Sequence, residues 1–378
     1  MKKIVLIDTF AVGTFHEIFN SAFLKSVLVS FNDIQYWGTK SSIENQRKIL
    51  SEVDLSSVSY CKVWNTQVSG LVGLLCRYIF AAISCICILR KIDKHSRVVV
   101  LNNNPFLSLL YPFIKREINI VCHGEMELLE GRDNGRLAKF MSYLLRRALI
   151  KKTVSSNLRF IVLGDAALNN LKFILPPGNY KQFSSIDHPY LFKKVDIRYT
   201  KYLSYPLNVG IIGITTPTKG KSFLKQLLIS KSSEIEIVHI GKIDDSNNEL
   251  KNLGLKIVKR DENNELQREE YEAWIKKMDF VLFLYPTDSY RLTASGAIFE
   301  CISLGIPTIS LRNDYFDYLR AKVGDFGLFY DSYEELKSFF VTSSQDNICF
   351  SRFDESILKG RNIFSPEFVG QTLSDKLY

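Results

Sequence analysis

Along the chain, short and almost continuous apolar segments alternate with longer segments whose apolar residues recur at helical spacing. Continuous apolar runs of a few residues are typical of strands that a parallel sheet buries on both faces. The alternation therefore predicts an α/β fold with mostly parallel sheets and helices on both faces. In the first half, we predict strands at Lys3–Asp8, Ile34–Trp37, Val58–Val63, Val98–Leu101, Ile118–Val121 and Phe160–Leu163.

A second series of the same kind begins at Leu207, after a poorly periodic stretch that contains proline. The length of 378 residues exceeds what one typical core organises and suits two domains. We therefore predict domains at residues 1–190 and 191–360 and a C-terminal helix at residues 361–378. The predicted strands of the second series are Leu207–Ile212, Ile235–Ile240, Leu255–Val258, Phe280–Tyr285 and Ile306–Ser310.

The segment Val68–Leu89 contains a single charged residue, Arg77, and is long enough to span a bilayer. Its place between two predicted strands argues against spanning, because a crossing would put strands of one sheet on opposite sides of the membrane. We therefore predict a buried or membrane-leaning helix here, with a true membrane span as the alternative.

The basic residues are concentrated in the first half of the chain. Residues 1–190 carry 24 Lys and Arg against 14 Asp and Glu, a net charge of +10, which leaves −1 of the total of +9 for the remaining residues. In a predicted helix at residues 136–152, six basic residues and no acidic one accompany apolar residues at helical spacing. A core-facing helix with a solvated outer side would show the same pattern. Together with the charge asymmetry, it predicts a helix that docks on anionic lipid headgroups, and no nucleic-acid-binding motif accompanies it.

The stretch Phe280–Ser310 combines a strand, a polar loop, a helix and a second strand. Ser295 is placed to cap this helix, and Gly296 leaves room for a ligand close to the backbone. A helix that begins at the carboxyl end of a parallel strand presents free N–H groups, which suits a diphosphate. Glu300 follows about one and a half turns later and could accept hydrogen bonds from both hydroxyls of a ribose. The alternative interpretation of Glu300 is a solvated helix glutamate.

The first strand of the second series leads into a loop of small, hydroxylated and basic residues. The backbone N–H groups of such a loop can face an anion, and its lysines can neutralise the charge. Taken alone, this loop would be an ordinary surface turn. Beside the helix start at Ser295, however, it predicts a second contact for the same diphosphate. The residues concerned are Gly213, Thr215, Thr216, Lys219, Gly220 and Lys221.

These motifs resemble those of the GT-B nucleotide-sugar glycosyltransferases, and within them the family-4-like bacterial enzymes. The resemblance covers the whole chain and is most specific in the SGxxxE block that is followed by GIPTI. It implies two Rossmann-like domains: residues 1–190 bind the acceptor, and residues 191–360 bind the nucleotide sugar. The basic charge of the first half adds the expectation that residues 1–190 face the membrane. Pro366–Tyr378 resembles the tail helix that crosses back to the N-terminal domain.

By this resemblance, two loops of the C-terminal domain hold the diphosphate and one glutamate binds the ribose. The VCHGE segment resembles the loop whose histidine lies beside the transferred sugar, which assigns that place to His123. Leu292 departs from the pattern, because family members carry there a glutamate that contacts the donor hexose; the donor sugar and the stereochemistry therefore stay open. The implied donor-binding residues are Thr215, Thr216, Lys219, Gly220, Tyr285, Ser295, Gly296 and Glu300.

The predicted transfer depends on positioning and charge stabilisation, because the nucleoside diphosphate leaves as the acceptor hydroxyl attacks. An inverting reaction would need a base in the first domain; His16, Glu17 and Glu125 are candidates, with His16 the first choice. In a retaining reaction, His123 would be a sugar contact. A structural role is the alternative for each of these residues. We expect no metal and no cofactor besides the donor substrate, since no DxD triplet is present.

Two other functions fit the same fold: a sugar-nucleotide epimerase and a catalytically silent sugar-nucleotide-binding protein. Seven cysteines without paired spacing fit a reducing compartment. From the resemblance, we predict a glycosyltransferase of the hexosyltransferase type in cell-surface polysaccharide synthesis. The cysteines and the basic first half add the prediction that it is cytoplasmic and peripheral on the inner face of the cell membrane. Its predicted partners are a nucleotide-sugar donor, a glycan or lipid-linked acceptor and an anionic membrane surface, but no nucleic acid.

Overall fold

The structure is a computed structural model, and it divides the chain into two compact units. Unit 1 comprises residues 1–191, 291–294 and 364–378, and unit 2 comprises residues 192–290 and 295–363. A four-residue segment from the middle of the predicted C-terminal domain thus belongs to unit 1. The residues that the structure describes are 3–68, 70–132, 135–193, 206–215, 220–243, 248–258, 266–342 and 350–377.

Each unit is built on one parallel sheet. The strands in chain order are β1 (Ile4–Asp8), β2 (Ile34–Thr39), β3 (Val58–Val63), β4 (Arg97–Val100), β5 (Ile118–Val121), β6 (Leu158–Leu163), β7 (Phe183–Ile186), β8 (Leu207–Thr215), β9 (Ile235–Ile243), β10 (Lys256–Val258), β11 (Phe280–Phe283), β12 (Thr308–Leu311) and β13 (Gly327–Tyr330). Between them run helices that cover the sheets. The α-helices are α1 (Glu17–Leu28), α2 (Lys40–Ile49), α3 (Gly70–Lys91), α4 (Arg136–Leu149), α5 (Asp165–Leu171), α6 (Pro177–Tyr180), α7 (Lys221–Ser230), α8 (Glu249–Asn252), α9 (Arg268–Ile275), α10 (Gly296–Leu304), α11 (Asp314–Val323), α12 (Tyr333–Thr342), α13 (Asp354–Ile363) and α14 (Pro366–Lys376).

The strand orders are those of doubly wound sheets. The seven strands of unit 1 have the order β3-β2-β1-β4-β5-β6-β7, and the six strands of unit 2 have the order β10-β9-β8-β11-β12-β13. In each sheet the direction of strand addition reverses beside the first strand, at the β1/β4 pair and at the β8/β11 pair. Ligands bind to such sheets at the carboxyl ends of the strands near this reversal. The predicted α/β class with two Rossmann-like domains is confirmed.

The helices of unit 1 lie on both faces of its sheet. On one face, α3, a 3-10 helix at Leu107–Phe113 and α4 contribute Ile88, Tyr111 and Leu145 to a common core. On the other face, α1 and α14 pack together and share a second core. The C-terminal helix is therefore part of unit 1.

Local sequence explains where several helices begin and end. The side chain of Asn313 accepts the backbone N–H of Phe316 at 2.9 Å and caps α11. Ser365 accepts the N–H of Phe368 at 3.2 Å at the start of α14, directly before a proline. Gly305, with φ of 72°, ends α10 in the left-handed conformation.

The apolar helix predicted at Val68–Leu89 is α3. Among the described residues, it is the one helix that is long and apolar enough to cross a membrane, by length and composition. Its flanking strands β3 and β4 lie in the same parallel sheet, so α3 is the crossover connection between them.

The hydrophobic pattern did not predict several short elements. Helix α2 has Ile43 and Ile49 as its only apolar residues, and β7 is a four-residue edge strand that contains two serines. Helices α11 and α13 and strand β13 were also missed. Such elements are stabilised by their neighbours more than by their own pattern. The helix predicted at residues 136–152 ends at Leu149.

Candidate functional site

In unit 2, the end of the predicted phosphate loop at Gly220 lies against the chain that follows β11. Gly220 precedes α7 with φ of 81°, and a Cβ at this position would lie 2.0 Å from the carbonyl oxygen of Leu284. Leu284 directly follows β11. Because only glycine permits this approach and this backbone conformation, the start of α7 is held against the chain that leads to Tyr285.

Thr215 lies at the end of β8 and contacts a histidine that the sequence analysis did not select. Its Oγ1 is 2.9 Å from Nε2 of His239 on β9. Burial lowers the pKa of His239 to about 4, so its ring is neutral near pH 7. The other two loop residues assigned to the diphosphate, Thr216 and Lys219, lie outside the described residues, and their roles stay predictions.

Helix α10 begins beside open space. Ser295 occupies its N-cap position, but the Ser295 side chain makes no capping hydrogen bond and lies 3.3 Å from the hydroxyl of Tyr285. A Cβ on Gly296 would meet no atom of the described residues within 4 Å. The ring of Tyr285 stacks on Tyr290 with 4.3 Å between the ring centroids. Gly296 thus leaves room beside the start of α10, and a helix N-terminus is a position that suits an anion.

Glu300 is held by two side chains of α9. Nη1 of Arg268 donates to Oε1 at 2.7 Å, and the hydroxyl of Tyr271 donates to Oε2 at 2.7 Å. The side chain of Glu300 is 15% exposed, so it is not the solvated glutamate of the alternative interpretation. A carboxylate has about four acceptor positions, so these two bonds leave capacity on both oxygens for further donors such as hydroxyls.

Charges alternate along the row of side chains that ends at Glu300. Nε of Arg268 also donates to Oε1 of Glu272 at 2.7 Å, and Nζ of Lys193 donates to Oε2 of Glu272 at 2.5 Å. Arg268 therefore offsets the negative charge of Glu300, which lowers the repulsion that a second anion would meet nearby. Burial, and then the charge of Glu300, raise the pKa of Tyr271 well above its usual range, so its hydroxyl remains a donor.

In unit 1, three histidines form a buried aromatic cluster. The ring of His123, which follows β5, lies 4.5 Å from the ring of His16 and 4.4 Å from that of Phe19, between centroids. The ring of His188 lies 5.0 Å from Phe19. The structure thus brings the two predicted histidines together and adds His188, which the sequence analysis placed in a poorly periodic stretch.

All three imidazoles are neutral near pH 7. Burial lowers the pKa of His16 to about 4 and that of His188 to about 3. Burial, and then the neighbouring His16 and His188, hold the pKa of His123 well below its usual range, although a hydrogen bond to the Leu101 backbone opposes this. Nε2 of His123 has no partner among the described residues, so Nδ1 makes the bond to Leu101. Nε2 is therefore a buried acceptor that suits a neutral hydroxyl.

The backbone of His16 is strained. Its φ of 57° lies in the left-handed region that residues other than glycine rarely adopt. His16 directly precedes α1. Its ring stacks on Phe15 with 4.0 Å between centroids and lies tilted against the His123 ring at 4.5 Å. Such strain persists only where the surroundings hold it in place.

Asp8, at the end of β1, holds the loop that leads to His16. Oδ1 of Asp8 accepts the backbone N–H of Ala11 at 3.1 Å. Its Oδ2 accepts hydrogen bonds from three side chains, those of Asn20, Tyr36 and Ser42. Because these donors belong to α1, β2 and α2, the carboxylate ties the loop to three elements at once.

Glu125 joins two loops of unit 1. Its Oε1 accepts the backbone N–H groups of Asn103 at 2.9 Å and of His123 at 3.0 Å. Burial raises the pKa of Glu125 to about 7, although these backbone bonds lower it. The geometry thus makes Glu125 a residue that positions the His123 loop. Glu17, the other carboxylate candidate, accepts a hydrogen bond from Asn45 at 3.1 Å.

Leu292 is an apolar anchor in unit 1. Its side chain is buried in the core beneath α3 and α4, and its N–H donates to Oε1 of Glu127 at 2.7 Å. The neighbouring Arg291 forms an ion pair with Glu130 at 2.8 Å. Leu292, at the position where the resembled family carries a hexose-binding glutamate, therefore has a structural role here. The guanidinium of Arg291 is likewise occupied by its ion pair with Glu130.

Four residues of these clusters were missed by the sequence analysis: Arg268, Tyr271, His188 and His239. The three-residue spacing of Arg268 and Tyr271 places both on one face of α9. Nothing in the pattern indicated that this face meets Glu300.

No protein-family model matches the sequence, and no curated protein sequence matches it. Solved structures match it over nearly the full length. HepE from Anabaena, in complex with UDP-glucose, has 12% identity and a TM-score of 0.61, with 99% of both chains covered. Sucrose-phosphate synthase from Thermosynechococcus elongatus has 9% identity and a TM-score of 0.63, with 99% of this chain and 98% of that chain covered. Staphylococcus aureus TarM, a mutant in complex with UDP, has 11% identity and a TM-score of 0.60, with 100% and 99% covered. The chain therefore has the two-domain GT-B fold.

Proposed function

We propose that this GT-B protein is a glycosyltransferase of the hexosyltransferase type, which moves a sugar from a nucleoside-diphosphate sugar to an acceptor hydroxyl. The observation that carries the proposal is the arrangement of Glu300. Its carboxylate is oriented by Arg268 and Tyr271, keeps acceptor capacity, and lies on the helix whose start at Gly296 borders open space. A ribose on Glu300 and phosphates at the helix start would use both features of α10.

The donor would bind along the strand ends of unit 2. The start of α7 at Gly220 and the start of α10 at Gly296 would stabilise the leaving diphosphate, with Lys219 as a further cation. This charge stabilisation needs no metal ion. UDP-hexoses are the first donors to test, because the HepE structure contains UDP-glucose.

The acceptor side would involve the histidine cluster of unit 1. Nε2 of His123 is a neutral, buried acceptor without a partner among the described residues, which suits a sugar hydroxyl. His16 and Glu125 would position this ring, through stacking and through the backbone bond to the His123 loop. We propose a glycan or lipid-linked acceptor in cell-surface polysaccharide synthesis, and a cytoplasmic enzyme on the inner face of the membrane.

Replacing Glu300 tests the proposal. We expect Glu300→Ala to reduce kcat/KM for the donor on the order of 100-fold or more, because ribose hydroxyls lose a charged acceptor. Glu300→Gln keeps one oxygen acceptor and should be impaired less. Donor binding is measured by thermal shift against nucleoside diphosphates and their sugars, and turnover by product analysis with a lipid-linked acceptor.

The control is Glu355→Ala, which removes an exposed glutamate of α13 in the same unit. Unchanged donor turnover in Glu300→Ala would overturn the assignment of Glu300. An isomerised nucleotide sugar as the product would identify an epimerase. Donor binding without any product would identify a silent binding protein.

A further inference from the structure

One face of unit 1 is covered by three neighbouring helices with many exposed apolar side chains. Helix α3, the 3-10 helix Leu107–Phe113 and α4 all pack on the same core, so they form one layer over the sheet. We call the outer side of this layer the α3/α4 face. Its exposed apolar side chains include Leu71 (72%), Val72 (74%), Ile83 (51%), Phe113 (72%) and Phe140 (46%).

Burial in the core does not account for the composition of α3. In its most apolar window of 18 residues, only 28% of the residues are buried. A helix of a soluble domain normally shows one apolar stripe toward the core and a polar outer side. Large contiguous apolar surfaces of this kind mark a protein or membrane interaction site.

The charge of the α3/α4 face indicates which partner covers it. Helices α3 and α4 contain no acidic residue, and the exposed outer side of α4 carries Arg136, Lys139 and Arg147. Arg90 and Lys91 end α3. Exposed apolar side chains next to exposed basic ones are complementary to the acyl and headgroup regions of an anionic bilayer.

The sheet topology determines which part of unit 1 would lie next to a bilayer bound on α3. Because β3 and β4 lie in one parallel sheet, α3 is tied to the sheet at both ends. It also bonds directly to the loops of the histidine cluster: the hydroxyl of Thr9 donates to the carbonyl of Ala81, and Asn104 donates to the carbonyl of Tyr78. A lipid surface on α3 would therefore lie next to the loop that leads to His16 and next to the loop after β4, which Glu125 joins to His123.

We propose that the α3/α4 face binds the surface of an anionic lipid bilayer, with α3 lying in the interface, and that it thereby brings a lipid-linked acceptor to the histidine cluster. The second part rests on the proposed function, but the binding itself does not. Trp64 supplies a reporter, because its side chain is 67% exposed and its ring contacts Phe80 of α3 at 5.0 Å between centroids.

The test uses the full chain and vesicles of phosphatidylglycerol and phosphatidylcholine, compared with phosphatidylcholine alone, at low salt. We expect co-sedimentation with the anionic vesicles only, weakened by added salt, and a blue shift of Trp64 fluorescence that Trp64→Phe removes. Lys139→Glu with Arg147→Glu should weaken binding roughly 30-fold or more, since both charges are reversed. Leu71→Gln with Val72→Gln should weaken it about tenfold.

Matched controls are Lys359→Glu and Ile229→Gln, exposed positions of unit 2 that should leave vesicle binding unchanged. Absence of binding to anionic vesicles, or equal binding by the charge-reversed variant, would overturn the proposal. A change of molecular mass in the Leu71 and Val72 variant would instead identify a self-association surface and also overturn it. Donor thermal shifts are measured without vesicles, so loss of vesicle binding and loss of the proposed activity are separate outcomes.

Discussion

The polar clusters of the two units lie at equivalent strand ends of similar sheets but have opposite electrostatic character. In unit 2, Glu300 is ion-paired with Arg268, which is shared with Glu272. In unit 1, the rings of the half-buried His16 and the buried His123 are uncharged and lie tilted against each other. One cluster is a balanced set of charges, whereas the other excludes charge.

This difference is consistent with the ligands that we propose for the two clusters. A charged ligand needs counter-charges and backbone N–H groups, which Arg268 and the starts of α7 and α10 provide in unit 2. A neutral hydroxyl needs a desolvated acceptor in a fixed tautomer, which His123 provides in unit 1. The contrast matches a reaction between an anionic donor and an uncharged acceptor group.

The largest effect should come from Gly220→Ala in the charged cluster. Its Cβ would overlap the carbonyl oxygen of Leu284 at 2.0 Å and would need φ of 81°, so the start of α7 must move. We expect a loss of folding free energy on the order of 3 kcal/mol and no thermal shift with donor.

Gly296→Ala should separate the effect on donor binding from the effect on fold stability, which Gly220→Ala changes together. A Cβ at Gly296 meets no atom of the described residues within 4 Å, so the unfolding temperature without ligand should stay unchanged while donor binding weakens. If Gly296→Ala binds the donor as tightly as the wild type, the start of α10 is not the phosphate site.

In the uncharged cluster, His123→Ala should lower kcat/KM with acceptor on the order of 100-fold, because a positioned hydrogen-bond acceptor is lost. The donor thermal shift should remain, since His123 belongs to unit 1. Steady-state kinetics with a fixed donor and varied acceptor measure this effect. A lost donor thermal shift with unchanged acceptor dependence would contradict the division between the clusters.

The uncharged cluster should also be sensitive to acid. The pKa of His188 is about 3 in the folded protein and near 6.5 in an unfolded chain, so the unfolded state binds more protons between these values. The stabilising contribution of neutral His188 is complete above pH 6.5 and is lost as the pH falls toward 3. The stability advantage of the wild type over His188→Gln should therefore shrink by roughly 2 kcal/mol between pH 7 and pH 5.

Urea denaturation of both proteins at several pH values measures this difference. The difference between the wild type and His188→Gln cancels the pH-dependent contributions of other groups. One of these is Glu125, whose raised pKa of about 7 makes its contribution to stability increase as the pH falls. A stability difference that does not change with pH would show that His188 is not held in its neutral form.

The smallest effect is expected for Tyr271→Phe. This change removes one of the two bonds that orient Glu300 but keeps the ring and the ion pair with Arg268. A hydrogen bond to a charged group contributes about 1 to 2 kcal/mol, so KM for the donor should rise by roughly five- to thirtyfold, with little change in kcat. Tyr333→Phe is the matched control, because it removes a hydroxyl that donates to the carbonyl of Phe223 in the same unit.

The hydrophobic pattern of the sequence was sufficient to predict most of the buried strands and the helix that carries Glu300. The buried strands were predictable because strands buried on both faces need continuous apolar runs, whatever their neighbours are. Ser295 and Gly296 marked the start of α10, although the Ser295 side chain makes no capping hydrogen bond in the structure. The short edge strand β7 and the polar helix α2 lacked such signals, and only packing explains them.

The partners within each cluster were decided by the tertiary structure. His16 and His188 lie 172 positions apart, and His16 meets His123 while His188 meets Phe19 only because β1, β5 and β7 belong to one sheet. The orientation of Glu300 depends on α9, and the burial of Leu292 depends on a short segment that belongs to unit 1. Hydrophobic periodicity reports which face of an element is buried, but strand order and helix packing determine what that face meets.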